Sequence, residues 1–105
     1  MIRSVLTLRP APANVDAILS LYRRESILQE SLDLTRAVAS EIATAVDGSG
    51  EIIVTAVWPD EAAYQEWLDH PNRGRTGPEL AALLGTAVTA GRLYAIDHAA
   101  PENVR

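Results

Sequence analysis

The residues with useful chemistry are concentrated between positions 51 and 71 of this 105-residue chain. This segment, EIIVTAVWPDEAAYQEWLDHP, contains both tryptophans, one of the three tyrosines and one of the two histidines. Indole rings can line a pocket for a flat ligand, a phenol can form hydrogen bonds, and an imidazole can accept a proton near neutral pH. The sequence therefore predicts an aromatic pocket with Trp58, Tyr64 and His70 as candidate catalytic residues. Trp67 is expected to bind substrate as part of the pocket wall.

Three further residues are candidate substrate-binding residues. Arg73 and Arg75 follow in a predicted loop over residues 71–77, where a guanidinium at the pocket mouth can clamp an anion. Tyr94, on the last predicted strand, is expected to face either the pocket or a subunit interface. Each assignment has a structural alternative: core packing for the aromatic residues, a helix end for His70 and a solvated loop for the two arginines.

A strand that leads directly into a helix positions these rings. Residues 51–58 are rich in the β-branched and aromatic side chains typical of a buried strand. Pro59 then stops the strand, and Asp60 is suited to cap a helix. Upstream, the sequence Asp-Gly-Ser-Gly at 47–50 tolerates the positive backbone angles of a turn, which predicts a hairpin between strands over 35–46 and 51–58.

The remaining periodicity completes a βαββαβ order. We expect a first strand over residues 2–9, an amphipathic helix over about 14–31, a short helix ended by Gly85, and a last strand over about 88–98. This order predicts one ferredoxin-like α+β domain over residues 1–105, with an antiparallel sheet, helices on one face and a tail from about 99. Because the third strand is apolar on both sides, we expect a second copy to cover the open face in a dimeric α+β barrel.

Composition disfavours several classes of function. The net charge of −5, with no lysine, leaves no basic stripe for nucleic acid. The chain has no cysteine for disulfide or thiolate chemistry, and its two histidines lack the spacing of a metal motif. We therefore expect neither metal nor cofactor. The first residues lack the long apolar core of a signal peptide or membrane span, so a cytoplasmic protein without membrane contact is expected.

The run VTAVWPDEAAYQEWLDHP, together with the order of elements and the terminal strand, resembles the antibiotic biosynthesis monooxygenases, a family of dimeric α+β barrels. In that family a tryptophan closing the third strand is followed by an acidic helix start, an aromatic residue six positions later and another tryptophan. The matching residues here are Trp58, Asp60, Glu61, Tyr64, Trp67, His70 and Pro71. The likeness covers nearly the whole chain.

The resemblance implies a homodimeric enzyme that oxidises an aromatic or polyketide-like hydroxyarene with dioxygen and no cofactor. Such a protein must bind a flat ring, assist proton loss and stabilise the resulting anion. Val54 stands where the cofactor-free oxygenases have an asparagine, and Gly77 stands where the haem-degrading branch has its ligating histidine, which disfavours haem degradation. The same fold also serves cyclases, isomerases and non-catalytic ligand-binding modules, so these alternatives stay open.

Overall fold

The structure is a computed structural model that describes residues 1–101. Within that range, the chain forms four β-strands and four α-helices. Their bounds are β1 Ile2–Leu8, α1 Val15–Arg24, α2 Ile27–Leu34, β2 Ala39–Thr44, β3 Ile52–Trp58, α3 Glu61–Asp69, α4 Gly77–Leu84 and β4 Arg92–Ala95. Short 3-10 turns occupy Pro12–Asn14 and Pro71–Gly74.

The four strands form one antiparallel sheet in the order β2-β3-β1-β4. β1 and β2 run in the same direction with β3 between them, which is the split βαβ arrangement of a ferredoxin-like fold. In the central pair, Ile2 lies opposite Trp58 and Leu8 lies opposite Ile52. The predicted α+β fold with an antiparallel sheet is confirmed.

The hairpin between β2 and β3 follows from its local sequence, as predicted. Gly48 and Gly50 have φ angles of 80° and 82°, in the left-handed region that favours glycine. The backbone N–H of Ser49 donates to Oδ1 of Asp47 at 2.9 Å and stabilises the turn. The N–H of Ala45 donates to the carbonyl of Glu51 at 2.8 Å and closes the hairpin.

The single helix predicted over residues 14–31 is wrong. The helix ends at Arg24, Ser26 adopts a left-handed conformation with φ 50°, and a second helix starts at Ile27. The N–H of Glu30 donates to the carbonyl of Ser26 at 2.9 Å, so the second helix begins its own hydrogen-bond ladder at the break. Arg24 and Glu25, the charged residues at the break, form ion pairs with Glu79 of α4 and with Arg75.

The last strand is also shorter than predicted. Residues 92–95 pair with Ile2–Val5 of β1, whereas residues 86–91 approach the sheet as irregular backbone. Residues 71–77, predicted to be a loop, include a 3-10 turn. Of the tail expected from about residue 99, residues 99–101 carry no helix or strand, and residues 102–105 lie outside the described part.

The core lies between the sheet and the helices in two clusters. The first joins Leu8 and Ile52 of the sheet to Ile18 and Leu21 of α1 and Leu80 of α4. The second joins the end of β3 to α3. The opposite face of the sheet has no helix from residues 1–101 against it, and it carries the exposed side chains of Ile53 and Tyr94. No helix in the same range is long and apolar enough to cross a bilayer.

Candidate functional site

The predicted aromatic residues come together, in close packing. Trp58 at the end of β3 and Tyr64 in α3 meet edge to face with ring centroids 5.3 Å apart. Trp58 is 1% exposed, and Trp67 completes the cluster with Ala63. The α3 helix is positioned for this by Asp60, whose carboxylate accepts the N–H of Ala63 as an N-cap.

The polar atoms of this cluster have partners inside the protein. The indole N–H of Trp58 donates to the hydroxyl of Ser4 at 3.0 Å. The hydroxyl of Tyr64 accepts the backbone N–H of Gly91 at 2.7 Å, just before β4. A Cβ at Gly91 would lie 3.1 Å from the carbonyl of Val5 and 3.2 Å from the Tyr64 hydroxyl, so glycine permits this close approach. Tyr64 therefore attaches α3 to the start of β4.

His70 lies at the end of α3, where it shapes the turn that follows. Its Nδ1 accepts the backbone N–H of Asn72 at 3.1 Å, and its ring centroid is 6.1 Å from that of Trp67. The predicted catalytic roles of His70, Trp58 and Tyr64 stay predictions. The contacts observed for each are structural.

Arg75 points toward the break between α1 and α2. Its guanidinium forms ion pairs with Glu25 and, at 2.9 Å, with Glu30. Hydrogen bonds from Arg24 and then Arg75 hold the pKa of the Glu25 carboxyl below its ordinary value. Arg75 thereby fastens the segment after α3 to the start of α2. Its predicted role in substrate binding stays a prediction.

Tyr94 lies on the open face of the sheet, opposite Arg3 of β1. Its side chain is 45% exposed, and the Arg92 guanidinium lies 5.3 Å from its ring centroid. The structure therefore places Tyr94 on the open sheet face and not in the wall of the cavity described next.

A cavity of about 390 Å³ lies between the sheet and the helices on the covered face. This volume is in the range of ordinary small-ligand pockets. Apolar side chains form most of its wall: Leu6 and Val54 from the sheet, Ile27 and Leu28 from α2, Leu80 and Ala81 from α4, and Ala87 and Val88 beyond α4. Trp58, Tyr64 and Trp67 are not in this wall. The space suits a largely apolar small ligand.

Two ionisable residues line the cavity. Arg73, predicted from the sequence to bind substrate, projects from the Pro71–Gly74 turn, and its Nη2 donates to the carbonyl of Thr89 at 3.3 Å. Tyr22 of α1 is the second. Burial raises the pKa of the Tyr22 phenol, and the positive charge of Arg73 opposes that increase. The cavity thus combines an apolar wall with one phenol and one guanidinium.

Sequence reasoning missed Tyr22 as a site residue because its spacing with Ile18 and Leu21 is that of a core-facing helix position. The available signal was its chemistry, since a tyrosine among aliphatic neighbours brings a hydroxyl that requires a partner. Within residues 1–101, no group of three or more histidine, aspartate and glutamate side chains is arranged to hold a metal ion.

Solved structures of other proteins share the fold of this chain. One is a monooxygenase from the gene ActVA-Orf6 of Streptomyces coelicolor in complex with the ligand nanaomycin D; the match has a TM-score of 0.76 and covers 93% of this chain and 88% of that chain at 18% identity. Another is described as an antibiotic biosynthesis monooxygenase, with a TM-score of 0.69, coverage of 92% and 97%, and 20% identity. The chain has the fold of the antibiotic biosynthesis monooxygenases.

The protein Rv0793 from Mycobacterium tuberculosis is similar as well, with a TM-score of 0.75, coverage of 94% of this chain and 97% of that chain, and 15% identity. No family model and no curated protein matches the sequence. At these identities the likeness is one of fold, and it confirms at that level the resemblance predicted from the sequence. The activity must be argued from the site.

Proposed function

We propose that the protein is a cofactor-independent monooxygenase that oxidises an aromatic, polyketide-like hydroxyarene with dioxygen. The observation that carries this proposal is the cavity of about 390 Å³, apolar on most of its wall and lined by the Arg73 guanidinium. An electron-rich ring fits the apolar part, and the positive charge favours the phenolate over the neutral phenol. A bound phenolate is the form of the substrate that can give an electron to dioxygen.

The overall reaction is the conversion of a phenol to a quinone. The ring loses one C–H hydrogen and the phenolic hydrogen, and it gains one oxygen atom from dioxygen. The second oxygen atom leaves as water with these two hydrogens, so atoms and electrons balance without a reductant. The protein must bind the ring, favour loss of the phenolic proton and exclude bulk water.

The shared fold supports this proposal. The Streptomyces coelicolor monooxygenase binds nanaomycin D on a framework that superposes on most of this chain. That ligand belongs to the other protein, and a related substrate class for this chain is part of our proposal. We assign a positioning role to Tyr64, because its hydrogen bond fixes Gly91 three residues after Val88 in the cavity wall. Trp58 supports Tyr64 from the sheet.

A homodimer belongs to the same proposal. Ile53 and Tyr94 are large exposed apolar residues on the sheet face opposite the cavity. A second sheet packed on that face would remove them from water and form a closed barrel, while leaving the helix-covered cavity intact. We place the enzyme in the cytoplasm, in keeping with its lack of cysteine.

Oxygen consumption tests the function. Purified protein is supplied with phenols of two or three fused rings, and dissolved oxygen and product are followed together. We expect one quinone per dioxygen, with one labelled oxygen atom in the quinone when heavy-isotope dioxygen is used. Arg73→Gln should lower kcat/KM by about tenfold or more, since a hydrogen bond to a charged group contributes about 1.5–3 kcal/mol. Arg23→Gln is the matched control, because it removes the charge of an exposed arginine that does not line the cavity.

The alternatives give different results in the same assay. A rearranged product without oxygen uptake would assign the cavity to a cyclase or isomerase. Absence of any product, together with binding of the phenols, would indicate a non-catalytic ligand-binding module. Either result would refute the monooxygenase proposal.

A further inference from the structure

Tyr22 is a buried phenol whose hydroxyl finds no partner among the described residues 1–101. The residue is 7% exposed, yet within residues 1–101 its hydroxyl has no hydrogen-bond partner. In the same range, no side-chain nitrogen or oxygen is both sealed from solvent and unpartnered. The Tyr22 hydroxyl is therefore accessible, and the space that Tyr22 lines is the 390 Å³ cavity.

A hydroxyl in this position does not improve packing. The walls around it are mainly aliphatic, and a buried polar group without a partner costs stability unless water or a ligand binds it. Phenylalanine would fill the same volume, so the hydroxyl adds a hydrogen-bonding group and not packing. In the cavity this hydroxyl can bind water or a polar atom of a ligand.

Arg73 supplies a charge at the same cavity. Within residues 1–101 it has no carboxylate in ion-pair range, whereas Arg75, two positions later, pairs with Glu25 and Glu30. The Arg73 hydrogen bond to Thr89 uses one of its two terminal nitrogens and leaves other N–H donors for a ligand. Tyr22 and Arg73 both line this cavity, and the positive charge of Arg73 opposes the increase that burial causes in the pKa of the Tyr22 phenol.

We propose that Tyr22 and Arg73 form an oxyanion site at one side of the cavity, where they bind the ionised oxygen of a flat hydroxyarene. The ring of this phenolate then lies against the aliphatic wall formed by Leu6, Val54 and Leu80. The choice of a phenolate rests on the proposed function, whereas the choice of an oxyanion rests on the two side chains alone. Tyr22 is, on this reading, a substrate-binding residue.

The protonation states suit such a site. Because burial raises the pKa of Tyr22, its hydroxyl remains a hydrogen-bond donor at neutral pH. The guanidinium of Arg73 remains charged throughout the same pH range. Two fixed donors, one of them cationic, stabilise the ionised form of a bound phenol and lower its pKa.

Para-nitrophenol provides a direct test, because its ionised and neutral forms differ in absorbance. Binding is titrated under argon at several pH values with the wild-type chain, Tyr22→Phe, Arg73→Gln and the control Arg23→Gln. We expect wild type and control to lower the pKa of the bound probe. Tyr22→Phe and Arg73→Gln should each weaken binding of the phenolate by about tenfold or more. Unchanged circular dichroism and thermal midpoint verify that Tyr22→Phe is folded.

Three results would overturn the inference: no binding of the probe by wild type, equal binding of the phenolate by wild type and Tyr22→Phe, or equal binding of para-nitrotoluene, which cannot ionise. Tighter binding of para-nitrobenzoate than of the phenolate would overturn the assignment to phenols. The absence of dioxygen separates this inference from the proposed function. If the protein binds phenolates through Tyr22 and Arg73 but forms no quinone, only the proposed monooxygenase function is refuted. If it forms quinone equally well in Tyr22→Phe, only the oxyanion site is refuted.

Discussion

Removal of a single hydroxyl distinguishes a structural Tyr64 from a catalytic one. In Tyr64→Phe the ring remains to pack against Trp58, but the backbone N–H of Gly91 loses its acceptor at 2.7 Å. Tyr22→Phe is a closely matched control, because Tyr22 and Tyr64 are both 7% exposed and the Tyr22 hydroxyl has no partner in the described chain. The two variants remove the same atom from equally buried rings.

The expected cost follows from that hydrogen bond. An unsatisfied donor costs about 1–3 kcal/mol when it is fully buried. Gly91 is partly buried and can regain some contact with water, so we expect Tyr64→Phe to destabilise the fold by about 1–2 kcal/mol, a ~5–30-fold change in the unfolding constant. Tyr22→Phe should change the free energy of unfolding by less than about 0.5 kcal/mol.

Urea unfolding at fixed protein concentration measures both effects, since association would otherwise shift the midpoint. Tyr64→Phe is then compared with wild type in the oxygen-uptake assay at a temperature where both are folded, and Tyr22→Phe serves as the control for stability only. A positioning role predicts lower stability and a modest loss of turnover in Tyr64→Phe. A variant as stable as wild type with turnover abolished would refute the structural account and favour a catalytic hydroxyl.

Three further predictions follow from contacts elsewhere in the molecule. Ser4→Ala should lower the free energy of unfolding by about 1–3 kcal/mol in urea, because it removes the acceptor of a buried indole N–H; an unchanged midpoint would contradict this. Ile53→Glu should convert the proposed dimer to a folded monomer in sedimentation equilibrium, and a persistent dimer would exclude this sheet face as the interface. Hydrogen bonds from Arg24 and then Arg75 lower the pKa of Glu25, so the stability that its carboxylate contributes is present above its ordinary pKa of 4.5 and is lost as the pH falls through the lower folded value. The difference in stability between wild type and Glu25→Gln should therefore shrink on acidification and in high salt, and a difference independent of pH would count against the ion pair.

Elements fixed by local chemistry were predictable from the sequence. The glycines of the 47–50 turn and the Asp60 cap act on their immediate neighbours, so the β2-β3 hairpin and the start of α3 are as expected. The break at Ser26 was not predictable in this way, because serine has no preference for a left-handed conformation. Its neighbours Arg24 and Glu25 form ion pairs with Glu79 and Arg75, residues about fifty positions away that local sequence does not bring into view.

The candidate site was predictable in part. The spacing of Trp58 and Tyr64 correctly brings the two rings together, but spacing cannot tell whether a void adjoins them. Arg73 and Arg75 were predicted on the same grounds, yet the structure places Arg73 in the cavity wall and pairs Arg75 with Glu25 and Glu30. Tyr22 was not predicted as a site residue, since a residue that lines a cavity and one that fills a core share the same helical face. Only the three-dimensional arrangement separates these cases.

The break between α1 and α2 at Ser26 affects the shape of the cavity and so the molecules that fit into it. On an uninterrupted helix, Tyr22 and Ile27 would point about 140° apart, given about 100° of rotation per residue. Because Ser26 is left-handed, the side chains of Tyr22 and Ile27 instead line the same cavity. Deleting one residue there would turn α2 by about 100°, so that Gln29 would take the place of Leu28 in the cavity wall and change the size and polarity of the cavity. A change of length at this single position would therefore be a simple evolutionary route to a protein that accepts different ligands.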